Sequence, residues 1–319
     1  MPHQTSTSLI KMSAMEIDGD TSSMVSNKSY KVLSQIDHIL HRSDMYTGSL
    51  EQKQIQRYIL KENSIVEVNA MCSEGFLKIV DEVISNAQDY AATDSSVTSI
   101  KCDVDKETGW ITVINNGRDT VSTRNFEGTE RTIAETVFGV LHSSSNYDDA
   151  QKRTWLGKNG VGVKLTNVFS NEFIAKLCDP DTKQIHTVKW IKNMKERLPT
   201  KVKSYELKTA KTEVSFLPDY ARFSMSLPLD EGVVSLIEGR MQDLAMVTNK
   251  KLKVKFNDVE LKYTDAMSYS KMLGGTLLSH DVVNGDDSSK LETFLIMDCE
   301  KAHISSFVNG GRCTGTAVN

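Results

Sequence analysis

The chain has 319 residues, enough for one large domain or two of medium size. Its 39% hydrophobic and 25% charged residues are typical of a globular protein, and a net charge of −4 argues against a surface that binds nucleic acid everywhere, though not against a local basic patch. Five scattered cysteines without CxxC spacing argue against a disulfide framework or a zinc site and favour a reducing, intracellular compartment. No apolar run approaches the length of a membrane span, and the N-terminus has no signal-peptide pattern.

Residues 1–28 are rich in Ser, Thr and Met with little periodicity, which predicts a flexible tail. A short helical pattern follows within 30–51 and ends in a turn at Thr47-Gly48-Ser49. The apolar spacing of "EGFLKIVDEVISNAQDY" then predicts a helix over about 74–91.

Later elements are predicted from the periods of their apolar residues. Strands are expected at 97–104, 110–116, 172–178, 185–191, 212–217, 291–298 and 303–308, with helices at 131–141, 161–170, 229–247 and 265–273. The segment 251–261 predicts a hairpin that turns at Asn257-Asp258. Helices and antiparallel strands in separate runs favour an α+β sandwich with the helices on one face of the sheet, and the pattern changes near residue 262, where we place a domain boundary.

The most informative residues lie on the helix at 74–91. Glu82, Asn86 and Asp89 share one face at spacings of four and three, beside an apolar stripe. Two carboxylates and an amide oxygen in a row can hold a hard cation and orient a water molecule. Taken alone, the same spacing favours an ordinary amphipathic helix with a solvated polar face.

Three loops supply further polar groups. "GKNGVGVKL" (157–165) brings glycines to a helix start, where backbone N–H groups can face phosphate oxygens, although it lacks the GK[ST] ending of a P-loop. "INNGRDT" (114–120) ends a strand with amides that can pair with an adenine edge, and "HSSSNYDD" (142–149) offers hydroxyls for ribose or phosphate. Each also has a plain interpretation as a turn or surface loop.

Nine Lys and Arg residues lie between 183 and 211. They could form a ridge that faces DNA, but a solvated surface of loops and strand edges is the favoured interpretation. The seven histidines show no metal-ligand spacing.

The order of these parts matters more than any single motif. A helix with Glu and Asn, a strand ending in "NNG", a Ser-Asn loop and a glycine loop at a helix start resemble, in this order, the Bergerat (GHKL) ATP-binding fold of gyrase, MutL proteins, histidine kinases and heat-shock chaperones. Within that group, "QIDHILHRSDMYTGSLE", "VDEVISNAQD", "VFGVLHSSSNYDD", "GKNGVGVKLTNVFS" and "SFVN" resemble the N-terminal ATPase region of eukaryotic-type and viral type II (IIA) DNA topoisomerases. The resemblance runs from about residue 30 to residue 319.

The resemblance implies roles for single residues. Glu82 matches the general base that activates the hydrolytic water, Asn86 the ligand that holds Mg²⁺ against the triphosphate, and Asp89 a supporting carboxylate in the same helix. Asn115 stands where the family contacts adenine, and Tyr46 falls in the N-terminal strap that reaches the partner's nucleotide.

Other positions follow from the same resemblance. Thr212 matches the threonine behind the adenine contact. The ribose and phosphate contacts match Ser144, Ser145 and Asn146. The lid loop over the phosphates matches Gly157, Lys158, Asn159, Gly160, Val161, Gly162 and Lys164.

The resemblance also implies an activity, cofactors and partners. ATP and Mg²⁺ would bind, ATP would induce a homodimer that clamps a DNA duplex, and hydrolysis would reset this gate of an enzyme that relaxes or decatenates DNA. Residues 29–262 would form the ATP-binding domain with its strap, and 263–319 the beginning of a transducer domain. The expected location is the nucleus or a viral replication site in the cytoplasm, with no membrane partner.

Four departures from the family pattern stand out. Asp119 sits where a second glycine is usual, Trp155-Leu156 precedes the lid loop, and Lys158 replaces a more usual Arg, which gives up a planar two-pronged donor. The sequence also stops inside the expected transducer, before the switch loop whose Lys meets the γ-phosphate. We therefore expect a fragment of a longer enzyme that binds ATP and hydrolyses it weakly alone.

Two alternatives stay open from the sequence. The same fold could serve a MutL-like or chaperone-like ATPase, although the segment around Tyr46 and "SSNYDD" argue against it. The chain could instead be a degenerate nucleotide-binding module, its pocket disabled by Asp119.

Overall fold

The computed structural model describes residues 32–62, 64–118, 123–126, 128–141, 143, 162–248, 251–263, 265, 267–268, 276–284, 290–297, 307–308 and 311–312. The chain divides into two compact units, Met1–Leu33 and Ser34–Asn319. In the first, only the exposed Val32 and Leu33 are described. All helices and strands below belong to the second.

The described helices are α1 (Gln35–His41), α2 (Glu74–Thr93), α3 (Ile133–Gly139), α4 (Gly162–Val168) and α5 (Glu231–Val247), with short 3₁₀ turns at Ser43–Met45 and Tyr220–Phe223. The strands are β1 (Gln52–Lys61), β2 (Ser64–Ser73), β3 (Ser99–Val104), β4 (Ile111–Asn116), β5 (Ser170–Asp179), β6 (Gln184–Ile191), β7 (Glu196–Arg197), β8 (Lys201–Ser204), β9 (Lys211–Pro218), β10 (Lys253–Phe256), β11 (Val259–Glu260), β12 (Thr276–Asn284), β13 (Lys290–Met297), β14 (Phe307–Val308) and β15 (Gly311–Arg312).

The centre of the fold is a nine-stranded sheet in the order β11-β10-β3-β4-β9-β5-β6-β7, with β8 also paired to β6. Every neighbouring pair is antiparallel except β3 and β10, which run parallel. Along the central strands every second residue is buried, the alternation expected when one face is covered. Helices α2, α4 and α5 contact this sheet, which confirms the predicted α+β class.

The lysine-rich segment runs through β6, β7 and β8 to the start of β9. Many of its charges are already paired: Lys189 with Glu172, Lys192 with Glu196, Lys195 with Asp37, Arg197 with Glu135 and Lys211 with Glu213. Paired surface charges offer less positive potential to a polyanion, so this pairing supports the solvated surface over a DNA-facing ridge.

Helix α2 begins where the sequence places it. The Ser73 hydroxyl caps it by accepting the N–H of Phe76 at 3.3 Å. Its buried stripe includes Val80, Val83, Ile84 and Ala87, as the apolar spacing predicts. The helix continues to Thr93, slightly beyond the predicted end.

The β1–β2 hairpin was not predicted. It forms a separate two-stranded sheet, and α5 holds it through side chains. The amide of Gln242 accepts the N–H of Leu60 at 2.8 Å and donates to its carbonyl at 2.7 Å, so one side chain takes the place of a neighbouring strand. Arg57 donates to the carbonyl of Gly239 at 2.7 Å and pairs with Asp243.

Beyond β9 the outcome is mixed. The hairpin at Asn257-Asp258 is confirmed, with φ of 44° and 65° at these two residues, the left-handed values that its tight turn requires. Strand β13 matches its prediction, whereas β12 was missed. Within the predicted helix 265–273, only Met267 and Ser268 are helical among the described residues, and the domain boundary near 262 stays a prediction. No helix in the described ranges has the length and apolarity needed to cross a membrane.

Replacing Gln242 with Ala should lower the free energy of unfolding by about 2–4 kcal/mol, because it leaves the buried N–H and C=O of Leu60 without partners. Urea denaturation followed by circular dichroism measures the loss. Gln56→Ala, an exposed change on the same strand, is the control and should cost less than about 0.5 kcal/mol. Equal losses in the two variants would contradict the bridging role of Gln242.

Candidate functional site

The predicted polar face of α2 meets α4 at the centre of the molecule. Glu82, Asn86 and Asp89 are each partly buried, in contrast to a fully solvated face. The two helices are joined by a hydrogen bond in which the Thr166 hydroxyl donates to the carbonyl of Ile79 at 2.7 Å. The helix that carries the polar row is therefore in direct contact with α4.

Glu82 occupies a space that exists only because residue 162 is glycine. A methyl group placed on Gly162 would lie 2.0 Å from Oε2 of Glu82, far inside van der Waals contact. The backbone at Gly162 has no unusual φ, so close approach, not conformational freedom, explains the absence of a side chain here. The carboxylate thus rests against the first residue of α4.

The ionisation of Glu82 is set by opposing effects. Burial raises the pKa of the Glu82 carboxyl, the ammonium of Lys78 at 2.5 Å lowers it, and the charges of Asp81 and Asp89 raise it again. The net direction is upward from the ordinary value. A carboxyl whose pKa is raised by burial is a stronger proton acceptor when ionised, which suits a general base.

Helix α4 is almost wholly buried, and its lysine with it. Lys164 is 2% exposed and donates to the carbonyl of Ser143. Burial lowers the pKa of Lys164 to about 8. Because the unfolded chain keeps an ordinary lysine pKa near 10.5, charging of Lys164 opposes folding below pH 8, and this cost disappears as the pH rises from 8 toward 10.5.

The sheet beneath the helices contributes two polar side chains. Asn115 on β4 lies opposite Thr212 on β9, and both point to the buried face of the sheet. The hydroxyl of Thr212 is buried and has no hydrogen-bond partner among the described residues, an arrangement that is costly unless another group completes it.

The two asparagines of "NNG" have different functions. Asn116, on the opposite face of β4, accepts the N–H groups of Thr98 and Ser99, each at 2.9 Å, and donates to the Thr98 hydroxyl at 2.8 Å. It is therefore a structural residue that fastens the start of β3. Asn115 lies on the buried face of the sheet, and its expected contact with adenine stays a prediction.

Tyr46 contacts its own chain. It packs against the core, and its hydroxyl lies 3.2 Å from Nδ1 of His38 on α1. These contacts place it beside α1, and its expected role toward a partner subunit stays a prediction.

The remaining predicted site residues, Ser144, Ser145, Asn146, Gly157, Lys158, Asn159, Gly160 and Val161, lie outside the described residues, as do Asp119, Trp155 and Leu156. Of the predicted set, the structure brings Glu82 on α2 against Gly162 on α4, with Asp89 close enough on the same helix to act on the Glu82 carboxyl, whereas Lys164 points to the carbonyl of Ser143.

Two residues at this contact were not predicted. Lys78 could have been found, because a Lys and a Glu four residues apart on a helix are within ion-pair reach. Thr166 had no sequence signal, since its role depends on a carbonyl that lies 87 positions earlier.

The ATPase region of Saccharomyces cerevisiae topoisomerase II has the same fold, with a TM-score of 0.75 and 33% identity, over 80% of this chain and 68% of that one. The chain belongs to the type II DNA topoisomerase family. DNA topoisomerase 2 of Meyerozyma guilliermondii is 33% identical over 85% of this chain, and that of Acanthamoeba polyphaga mimivirus is 33% identical over 78%.

The type II topoisomerase match concerns one part of larger enzymes. The chain spans about a fifth of the length of these relatives, 19% and 20% respectively. The 43K ATPase domain of Thermus thermophilus gyrase B, at 21% identity and a TM-score of 0.56, shares the GHKL fold. No protein-family model matches the chain.

Gly162→Ala tests the contact between α2 and α4 in this topoisomerase chain. In the unsubstituted background the added methyl must displace Glu82, so the variant should gain no stability or lose some. In a Glu82→Ala background the space is free, and Ala at a helical position should add up to about 1 kcal/mol.

The double-mutant cycle, measured by urea denaturation of the four proteins, should therefore give a coupling of about 1 kcal/mol or more between positions 82 and 162. Additive effects would mean that the Glu82 carboxylate does not rest against Gly162.

Proposed function

We propose that this chain binds ATP with Mg²⁺, hydrolyses the γ-phosphate, and forms the ATP-operated gate of a type II DNA topoisomerase. The observation that supports it most is the partly buried row of Glu82, Asn86 and Asp89, with Glu82 resting against Gly162 at the start of α4. General base, metal ligand and lid would then meet at one helix contact.

The residues on α2 fit a magnesium ion. Mg²⁺ prefers oxygen ligands and retains several waters, so few protein groups are needed. The amide oxygen of Asn86 would hold it, with Asp89 one turn farther along the helix able to bind a coordinated water. When bound, the ion would neutralise the charge that develops on the phosphate oxygens.

The polar pair on the sheet fits an adenine base. An amide offers a donor and an acceptor, which matches the paired donor and acceptor of an adenine edge. Asn115 would supply this contact, and the hydroxyl of Thr212 opposite it would gain the partner that it lacks among the described residues. A purine would thereby remove an unsatisfied buried group.

Hydrolysis requires a water molecule held in line with the γ-phosphate and a base that takes its proton. Glu82 would be this base, since its ionised carboxylate has a raised pKa and points toward α4. Lys164 follows two residues after Gly162, and its ammonium would pair with the triphosphate. The lid residues from 157 to 161 would close over the phosphates.

The wider activity follows from the relatives. We propose that ATP induces a homodimer, that the dimer clamps a DNA duplex, and that residues after 262 transmit this closure to the rest of the enzyme. The nucleus or a viral cytoplasmic replication site is the proposed location. The Meyerozyma guilliermondii and mimivirus relatives are both 33% identical to this chain, so identity does not favour either source.

Calorimetric titration with the non-hydrolysable analogue AMPPNP and Mg²⁺ tests nucleotide binding. Asn86→Ala should weaken binding by about 10-fold or more, because it removes the metal ligand. A 10-fold change in Kd corresponds to ~1.4 kcal/mol. Glu82→Gln should bind as the unsubstituted chain does and lose hydrolysis. Gln56→Ala, remote from the site, is the control.

Absence of binding in the unsubstituted chain would refute the proposal and favour the degenerate module. Hydrolysis by Glu82→Gln at the unsubstituted rate would remove Glu82 from the role of base while leaving the binding site intact.

Nucleotide binding should also take up protons near pH 8.5. With a pKa of about 8, Lys164 is mostly neutral there in the free chain, and a triphosphate beside it should restore the charge, taking up about 0.7 proton. Titration in two buffers with different ionisation enthalpies measures this uptake. Lys164→Met should abolish it, and equal uptake in both proteins would exclude Lys164 as the phosphate contact.

A further inference from the structure

Lys78 makes the closest polar contact to the Glu82 carboxylate among the described residues. Its Nζ lies 2.5 Å from Oε1, one helical turn before Glu82 on α2. We propose that Lys78 is a positioning residue for the general base: it holds Oε1 so that Oε2 stays directed at Gly162. This inference rests on the proposed function, in which Glu82 activates the hydrolytic water.

The two oxygens of Glu82 have different surroundings. Oε1 meets the Lys78 ammonium, whereas Oε2 lies in the space beside Gly162. An ion pair at one oxygen and a close neighbour at the other restrict the rotation of the carboxylate, and a fixed base is what in-line attack requires. The side chain of Glu82 is 19% exposed and that of Lys78 is 45% exposed, so the pair spans the boundary between solvent and site.

A helix-stabilising role does not explain this pair. On a helix, a Glu that precedes a Lys by four residues is the favourable order, and here the Lys comes first. Ion pairs at this spacing on a helix contribute only about 0.3–0.5 kcal/mol to its stability. The position of Lys78 is therefore better explained by its effect on the carboxylate than by support of α2.

The neighbouring acid of Lys78, Asp81, forms its own ion pair with Arg240, and Lys78 pairs with Glu82. Asp81 lies beside Lys78 in sequence, but Arg240 on α5 pairs with its carboxylate and also donates to Ser85 at 3.1 Å and Gln88 at 2.9 Å. With Asp81 held by Arg240, the Lys78 ammonium forms its ion pair with Glu82.

The other described charges near Glu82 cannot replace Lys78. Asp81 and Asp89 on α2 both disfavour an ionised Glu82. Lys164 on α4 donates to the carbonyl of Ser143, and Arg240 on α5 is paired with Asp81. Loss of Lys78 would leave a buried carboxylate beside two acids, a setting that favours the protonated form, which accepts no proton from water.

Lys78→Met removes the ammonium and keeps the apolar stem, and Lys78→Arg keeps a cation. The matched control is Lys53→Met, which breaks another 2.5 Å ion pair to α2, with Glu74, at a distance from Glu82. The chain is labelled with ¹³C at glutamate carboxyls, the Glu82 signal is assigned by its absence in Glu82→Gln, and its titration is followed by NMR without nucleotide.

Lys78→Met should raise the pKa of Glu82 by about 1 unit or more, the usual effect of removing an opposite charge at this distance. In Lys78→Arg the pKa of Glu82 should lie close to its value in the unsubstituted chain, and in Lys53→Met it should be unchanged. The acid limb of kcat against pH should move upward by the same amount in Lys78→Met, with KM for ATP unchanged.

An unshifted Glu82 titration in Lys78→Met overturns the proposal. So does a shifted titration with an unshifted kcat profile, because Lys78 would then act on a carboxyl that is not the base. Lack of hydrolysis in the unsubstituted chain would instead refute the proposed function. The titration needs no turnover and would still decide whether Lys78 controls the Glu82 carboxyl.

Discussion

The contact between α2 and α4 is the constraint on which the site depends. Helix α4 is short and buried, and its seven residues could not be stable alone, so its position is imposed by neighbours. The hydroxyl of Thr166 binds the Ile79 carbonyl, and the amide of Asn167 binds the Phe138 carbonyl at 2.9 Å. These bonds set the distance at which Glu82 meets Gly162.

Helix α5 connects a second polar row of α2, formed by Asp81, Ser85 and Gln88, to the β1–β2 hairpin. Arg240 reaches three side chains of α2, while Gln242 and Asp243 hold β1. Buried polar networks of this kind are strong only when their members are satisfied together. The hairpin is therefore part of the scaffold that orients α2, although it lies in a separate sheet.

The sequence predicted the central elements because their patterns are local. Helix α2 has a complete apolar stripe and a Ser cap, and the alternation of β4 and β9 matches a sheet covered on one side. The β1–β2 hairpin was not predicted, for two reasons. Arg57 and Lys61, which bind α5, interrupt the apolar alternation of β1. The turn also places Glu62 at a φ of 49°, a left-handed value that glutamate rarely adopts and that its presence in the sequence therefore does not indicate.

For the site, sequence reasoning supplied the residue types and their order along the chain. It could not supply the contact between Glu82 and Gly162, or the lack of a hydrogen-bond partner for the Thr212 hydroxyl among the described residues, since both depend on segments distant in sequence. Family resemblance filled part of this gap by assigning roles, but the Lys78 ion pair and the Arg240 network emerged only from the fold.

The pair Asn115 and Asn116 shows how a strand register can decide chemistry. The two side chains are identical, and only the alternation of β4 sends one toward the helices and the other toward Thr98. Inserting or deleting one residue in β4 would exchange their faces, so that the amide that now binds Thr98 would face the helices and the other would turn away from them. Under the proposed function, recognition of adenine would thus depend partly on the ladder bonds that β4 shares with β3 and β9, outside any ligand contact.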